Sequence, residues 1–349
     1  MGIEPASMTA VFCRNTADRK GETWKKQLEP FSVLEFAVSD AAKGIAKAVA
    51  EVAQSRRADP SAHALEHGLD VFHTSMEANR VLAQYWRRAE VAWEQTDAAV
   101  AKRADAKRQG VDARGAAQRV RAAWSKAMAS YAHAERLESA WDRAHAALDL
   151  FGPDGRLHDR AGAESEIAAA LLDLTGSAWS KVRNFLTDPR CLAFLDRMHR
   201  RLETAQPRRD WRDALTWRWW LRHRRPGPSD PATDLIRAAG RECALSAEER
   251  ASYDRISAVL RDTFRASSAV ECMNSVLRMQ QSRHRRMTQP MLDLKRLYWN
   301  CHPFRCGPRK NVCPYQALGL ELPAYDFWKL LHTDPKKLTQ QLSTQGNAE

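Results

Sequence analysis

The chain has 349 residues, a formal net charge of +12 and a 44% hydrophobic share. That length calls for two or three structural units, and that composition should fold. No apolar run is long enough for a bilayer, and the start, MGIEPASMTAVFCRN, lacks a basic segment followed by an apolar one, so neither a membrane span nor an export signal is expected. The cationic surplus points to a polyanion, with nucleic acid the better partner, and to a cytoplasmic, nucleoid-associated location. The cysteines number seven, an odd and scattered set, which fits reduced thiols.

Residues 7–14 read as a short strand, and a helix is expected over residues 21–28, stopped by Pro30. Val33, Leu34, Phe36, Ala37 and Val38 form an apolar run rich in strand formers, read as a buried strand ending at Ser39-Asp40. Residues 41–57 then read as a helix with Ile45, Val49, Val52 and Ala53 on one face. Another strand is expected around Leu69, Val71 and Phe72. Strands alternating with helices indicate an α/β layer.

From about residue 76 the chain turns rich in Ala, Arg, Glu and Lys, with Trp86, Trp93, Val100, Trp124, Met128, Tyr131, Leu137, Trp141 and Leu148 at helical intervals. Two long helices are expected, turning near Gly110 and Gly115. A loop around Gly152, Pro153 and Gly155 precedes helices over residues 163–174, 177–185 and 189–203. Arg208, Arg209, Arg212, Arg218, Arg222, Arg224 and Arg225 are then interleaved with Trp211, Trp217, Trp219 and Trp220. Two accounts stand level: a phosphate-tracking patch whose indoles stack on bases, or an amphipathic helix with buried Trp and a solvated Arg face. Residues 226–234 read as a linker.

A helix over residues 247–265 carries a capping box, Ser246 to Glu249. The next helix opens with Ser268-Ala-Val-Glu271, which has the same spacing. After Glu271 the balance is basic: Arg278, Arg283, Arg285 and Arg286 precede a helix that starts at Pro290. Cys301, Cys306 and Cys313 with His302 are a local cluster, but their spacings are wider than zinc sites usually show, and filler cysteines are the default. The last dozen residues read as frayed.

SSAVECMNSVLR, LDLKRLYWNCHPFRCG and CPYQALGL resemble the C-terminal signature of DDE transposases of bacterial insertion sequences. GIEPASMT, DRKGETWKKQLEPF, LEFAVSDAAKGIAKAV and LEHGLDVFHT resemble, in order, the first half of that catalytic domain. The resemblance covers both ends of the chain and skips the middle. It implies a ribonuclease-H-like mixed sheet with flanking helices, here incomplete and interrupted by a large helical insertion: α/β plus all-α, mostly helical overall. The implied divisions are residues 1–75 and 236–333 for the core, 76–235 for the insertion and 334–349 for a flexible tail.

The family holds two divalent ions, Mg²⁺ or Mn²⁺, on an Asp–Asp–Glu set of carboxylates. Such a pair, roughly 4 Å apart, activates one oxygen and neutralises another during phosphodiester cleavage and strand transfer. On that template Asp40 matches the second Asp and Glu271 the Glu, as catalytic and metal-holding residues. The first Asp would stand on a strand upstream of the segment that resembles MGIEPASMT; neither Asp18 nor Asp70 matches it, and Asp70 and His73 read as structural. A truncated, catalytically impaired transposase is therefore expected, keeping DNA affinity through Arg278, Arg283, Arg285, Arg286, Arg218, Arg222, Arg224 and Arg225. The partners implied are DNA and, as an option, a second copy of the chain. The alternative is a non-enzymatic basic helical DNA-binding protein.

Overall fold

The computed structural model describes all residues except 60–61, 112–113, 224–244, 282–286, 308 and 346–349. The chain is mostly helical with a few short strands. It divides into two compact units: Met1–His67 with Ala266–Glu349, and Gly68–Arg265. The divisions thus fall near residues 67 and 265, against the 75 and 235 expected. The linker expected at 226–234 lies outside the described residues.

In the first unit, β1 (Gly2–Glu4) and β2 (Thr9–Phe12) pair antiparallel, Ile3 opposite Ala10 and Glu4 opposite Thr9. The strand expected over residues 7–14 is thus the second arm of a hairpin. Its turn is closed by the Glu4 carboxylate, which accepts the N–H groups of Ala6 and Ser7 at 2.7 Å each. Met8 takes the left-handed conformation, with φ of 65°. α1 (Gly21–Leu28) and α2 (Lys43–Arg57) pack together, burying Leu28, Ala48, Val49, Val52 and Leu65, with Ile45 and Ala53 against that cluster. β3 (Phe36–Ser39) and β4 (Glu66–Leu69) make a second two-stranded sheet. β3 is shorter than the expected run and less buried: Val33 is 73% exposed and precedes the strand. Phe12 links the two parts of the unit, its ring 6.5 Å from Trp24 and 6.1 Å from Phe31.

Among the described residues the two sheets do not join, so the expected mixed sheet is present only as two separate pairs. The physical reason at β2 is that side chains hold its backbone where another strand could. These come from α11 (Gln289–Cys301), numbered in the order of the helices given below. Asn300 Oδ1 accepts from Ala10 N–H at 2.8 Å and its Nδ2 donates to Ala10 C=O at 3.1 Å. Trp299 Nε1 donates to Met8 C=O, Arg296 to Val11 C=O and Gln289 Nε2 to Cys13 C=O, at 2.9–3.0 Å.

Among its described residues the second unit is mainly helical, with the last residues of β4 and an isolated antiparallel bridge between Phe151 and Leu157 besides. Val71 and Phe72, expected in a strand, instead open α3 (Val71–Arg108). Asp70 accepts the N–H of Phe72 and so caps that helix, satisfying a first-turn donor. α3 and α4 (Arg114–Ala147) form the long hairpin. Their buried residues include Ala78, Val81, Leu82, Ala89 and Ala92 of α3 and Ala127, Ala134, Leu137, Ala140, Trp141 and Ala144 of α4, with alanine the commonest type. Small side chains let the helices approach closely. Of the residues at helical intervals, Leu137, Trp141 and Leu148 are buried, whereas Val100, Trp124, Met128 and Tyr131 are exposed, and Trp93 with Trp124 and Trp86 with Tyr131 meet edge-on.

α5 (Arg160–Leu171), α6 (Ser180–Leu186), α7 (Ala193–Ala205), α8 (Arg209–His223) and α9 (Ala247–Arg261) complete this unit. Its core includes Trp179, Leu192, Leu195, Met198, Leu202 and Ile256. Fully burying a side chain of this kind is worth roughly 1.5–3 kcal/mol. The capping box of α9 forms as expected: Ser246 Oγ accepts from Glu249 N–H, and Glu249 accepts from Ser246 N–H at 2.8 Å.

The chain then returns to the first unit through α10 (Ser268–Gln281), α11, α12 (Pro314–Ala317), α13 (Phe327–Leu331) and α14 (Pro335–Gln345). Met273 and Leu277 of α10 and Leu292 of α11 bury against Ala10 and Cys13 of the hairpin arm. The tail expected to be flexible from residue 334 is helical over Pro335–Gln345, for a local reason: Pro335 suits a first turn, and Asp334 accepts the N–H of Lys336 at 2.9 Å.

Candidate functional site

Asp40 follows β3 directly, at the point where the strand hands over to α2. Its side chain is exposed, and Oδ1 accepts from the Ala42 N–H at 3.3 Å. Ser39 beside it is buried, donating to Asp40 C=O and meeting His67 Nε2 at 2.8 Å, so the strand end is pinned from both sides. Glu271 stands in the first turn of α10 with its side chain 25% exposed. The helix begins at Ser268 itself, which moves the cap position to Ser267 and out of the expected S-x-x-E register. Glu271 accepts from Asn274 Nδ2 at 3.1 Å and from Arg278 Nη2 at 3.2 Å. Met273 and Leu277 occupy the opposite, buried face of α10, which turns Glu271, Asn274 and Arg278 outward.

Asp40 and Glu271 thus belong to one unit. The resemblance would ask for a third carboxylate beside them to hold a Mg²⁺ or Mn²⁺ pair. Among the described residues, no group of three or more His, Cys, Asp or Glu could hold a metal ion. Glu271 is moreover engaged by an amide and a guanidinium, donors that compete with a cation for its oxygens. The donor set therefore does not fit a two-metal centre. Asp70 and His73 serve the helix instead, since Asp70 is 1% exposed and pairs with His73 Nδ1 at the start of α3. Of the cysteine cluster, Cys301 and Cys313 are buried and Cys306 is exposed; burial, with Cys313 and Asp326 adding to it, pushes the Cys301 thiol up to about 11.

Of the arginines expected on DNA, Arg224, Arg225, Arg283, Arg285 and Arg286 lie outside the described residues. Arg278 is exposed and paired with Glu271. Arg218 is half-buried on α8, and Arg222, one turn further, is exposed. The tryptophans around them are structural. Trp219 stacks on Phe151 and donates to Ser257 Oγ at 3.2 Å, Trp220 lies against Gly155, and Trp211 lies under Arg208. Trp217 is 40% exposed. Arg222 shares a cleft with Tyr253 and Arg261 of α9. Neither of these two stands out in the sequence, although Tyr253, Ser257 and Arg261 recur every fourth residue, the spacing of one helix face.

Comparison with known proteins identifies no relative: no family model, curated protein or solved structure matches the chain. No helix among the described residues is long and apolar enough to cross a membrane.

Proposed function

We propose that this chain is a DNA-binding protein of the DDE transposase type, with a ribonuclease-H-like core interrupted by a helical insertion and a carboxylate set too small for strand cleavage. One observation carries the reading: Met1–His67 and Ala266–Glu349 form one compact unit although Gly68–Arg265 separates them in sequence. That arrangement gathers Asp40 and Glu271 into the unit where the resemblance requires both. With no group of three metal-ligating side chains among the described residues, DNA affinity is expected without metal-dependent nicking. The runner-up, a basic helical DNA-binding protein without transposase ancestry, is favoured by the exposed Arg222 on α8.

Duplex DNA binding by the full chain, titrated against salt, tests the proposal. Affinity should fall steeply, and each phosphate contact contributes a log–log slope of about −0.9. Arg278→Ala should weaken binding and make the slope shallower by about one. Glu271→Gln should tighten binding, because a carboxylate beside the phosphate track is removed. Loss confined to Arg222→Ala would transfer the interface to α8 and support the runner-up. Salt-independent binding, or none, would end both. Mg²⁺-dependent nicking of a supercoiled plasmid that disappears in Glu271→Gln would show that the carboxylate set is larger than two.

A further inference from the structure

Helices α8 and α9 enclose a cleft of about 510 Å³ within the helical unit. It is lined by Arg222 and His223 of α8 and by Tyr253, Asp254, Ser257 and Arg261 of α9. That volume lies inside the roughly 300–1,000 Å³ span of small-molecule sites. Arg222 and Arg261 have no carboxylate partner among the described residues. Tyr253 is 8% exposed, and its buried hydroxyl has no hydrogen-bond partner among the described residues. Buried polar groups are rarely left so, and a water or a ligand atom would complete the bonding here.

On the α8 side of the cleft, His223 is held in place by an aromatic ladder behind it. Trp219 stacks on Phe151, with centroids 5.7 Å apart and planes 14° from parallel, and on His223 at 4.2 Å and 20°. Ser257 fixes the indole, and the Trp219 C=O accepts from His223 Nδ1 at 2.8 Å. The imidazole is therefore oriented, exposed, and keeps Nε2 for a partner. Asp254 sets the opposite requirement, since its carboxylate disfavours a bare anion and asks for a ligand that also carries N–H or O–H donors.

We propose that this cleft binds a nucleotide. Its phosphate lies on Arg222 and Arg261, its base stacks on His223 at the end of the Phe151–Trp219 ladder, and a sugar hydroxyl or base amino group donates to Asp254. Guanidinium groups match phosphate oxygens in a planar fork, and stacking on a ring face tolerates any base. A free nucleoside phosphate and the phosphorylated end of a single strand present the same chemistry. The site shares Arg222 with the runner-up DNA reading but not Asp40, Glu271 or Arg278, and the variants used below, Arg261→Ala and Tyr253→Phe, leave Arg222 in place, so its failure and the failure of the DNA reading are separate results.

The test is calorimetric titration of the full chain at fixed ionic strength with three probes: dAMP, a 5′-phosphorylated single-stranded hexanucleotide and inorganic phosphate. Arg261→Ala should weaken the nucleotide probes at least tenfold. Tyr253→Phe keeps the ring packing and removes only the hydroxyl. It should raise the thermal unfolding midpoint and weaken nucleotide binding about threefold or more, so the proposal is testable even where the arginine variant unfolds. Binding of dAMP identifies a free nucleotide as sufficient, and binding of the hexanucleotide alone identifies a strand end; either supports the site. Inorganic phosphate binding as tightly as dAMP, no binding of any probe, or nucleotide affinity unchanged in both variants would overturn it.

Discussion

Asn300 offers the sharpest test of how the first unit is held together. It is 1% exposed, and both ends of its amide engage one residue, accepting from Ala10 N–H at 2.8 Å and donating to Ala10 C=O at 3.1 Å. Asn300→Ala leaves a buried donor and a buried acceptor unpaired at once. Each costs about 1–3 kcal/mol, so the pair costs about 2–4 kcal/mol after partial relaxation. The loss falls on the hairpin before it falls on the rest of the molecule, because Ala10 sits in the small cluster with Met273, Leu277 and Leu292. Amide hydrogen exchange resolved at Ala10 is the suitable assay, since local opening reports local free energy. An exchange rate raised roughly 30- to 1,000-fold is expected at 1.4 kcal/mol per tenfold. Asn300→Asp keeps the acceptor for the Ala10 N–H and should fall between the two. Unchanged protection of Ala10 in Asn300→Ala would refute the clamp, and with it the explanation of why β2 is held by side chains.

Gly155 has φ of 81°, and an added Cβ would strike the Trp220 ring, whereas Gly110 has φ of 72° and open space around it. Gly155→Ala should therefore cost about 1–2 kcal/mol of backbone strain and about as much again in overpacking, and Gly110→Ala only the former, measured by urea unfolding. The hydrogen bonds from Ser246 hold the Glu249 carboxyl below the usual glutamate range. A depressed folded-state value makes this cap's contribution present above the ordinary glutamate range and lost as pH falls through the lowered value. Ser246→Ala should accordingly exchange faster than the wild type at residues 247–250 near neutrality, with the difference closing in acid. Iodoacetamide at pH 8 should modify Cys272 and Cys306, both exposed, and spare Cys13, Cys191, Cys301 and Cys313, as mass spectrometry of the folded chain will show. Burial pushes the Cys191 thiol up to about 12, which removes the thiolate that would react.

Where local chemistry decides structure, the sequence was a good guide. The first helix runs from Gly21 to Leu28 as its pattern required, the Ser246–Glu249 box forms, and the long pair of helices turns between Arg108 and Arg114. Where long-range partners decide, it was a poor one. Val71 and Phe72 are strand formers by type, yet the preceding Asp70 caps a helix through them. The helical intervals of the α3–α4 hairpin marked the two helices but not which residues they bury: Leu137 and Trp141 are buried, whereas Trp124, Met128 and Tyr131 stay outside. Asn300 and Trp299 gave no local sign that their partners stand some 290 positions away. Asp40 and Glu271 were picked out by residue type and by the resemblance alone; whether they meet, and whether a third ligand joins them, depends on tertiary placement, which no spacing reveals.

Net charge illustrates the same limit for function. A surplus of +12 suggests a strongly cationic surface, but affinity for phosphate depends on how many cations gain a partner and how many only exchange one. On the hairpin, Arg80 pairs with Glu77, Arg87 with Glu90 and Arg108 with Asp105, so these arginines would give up a carboxylate to take a phosphate. Arg208 pairs with Asp210 and Arg209 with Asp213 in the same way. Exposed pairs are worth about 0–1 kcal/mol, so exchange is feasible but adds little net attraction. Arg222 and Arg261 differ in having no such partner among the described residues, and they share one cleft. Phosphate affinity in the helical unit should therefore be strongest where both arginines line one cleft, and the carboxylate-paired arginines of α3 should contribute solubility more than binding.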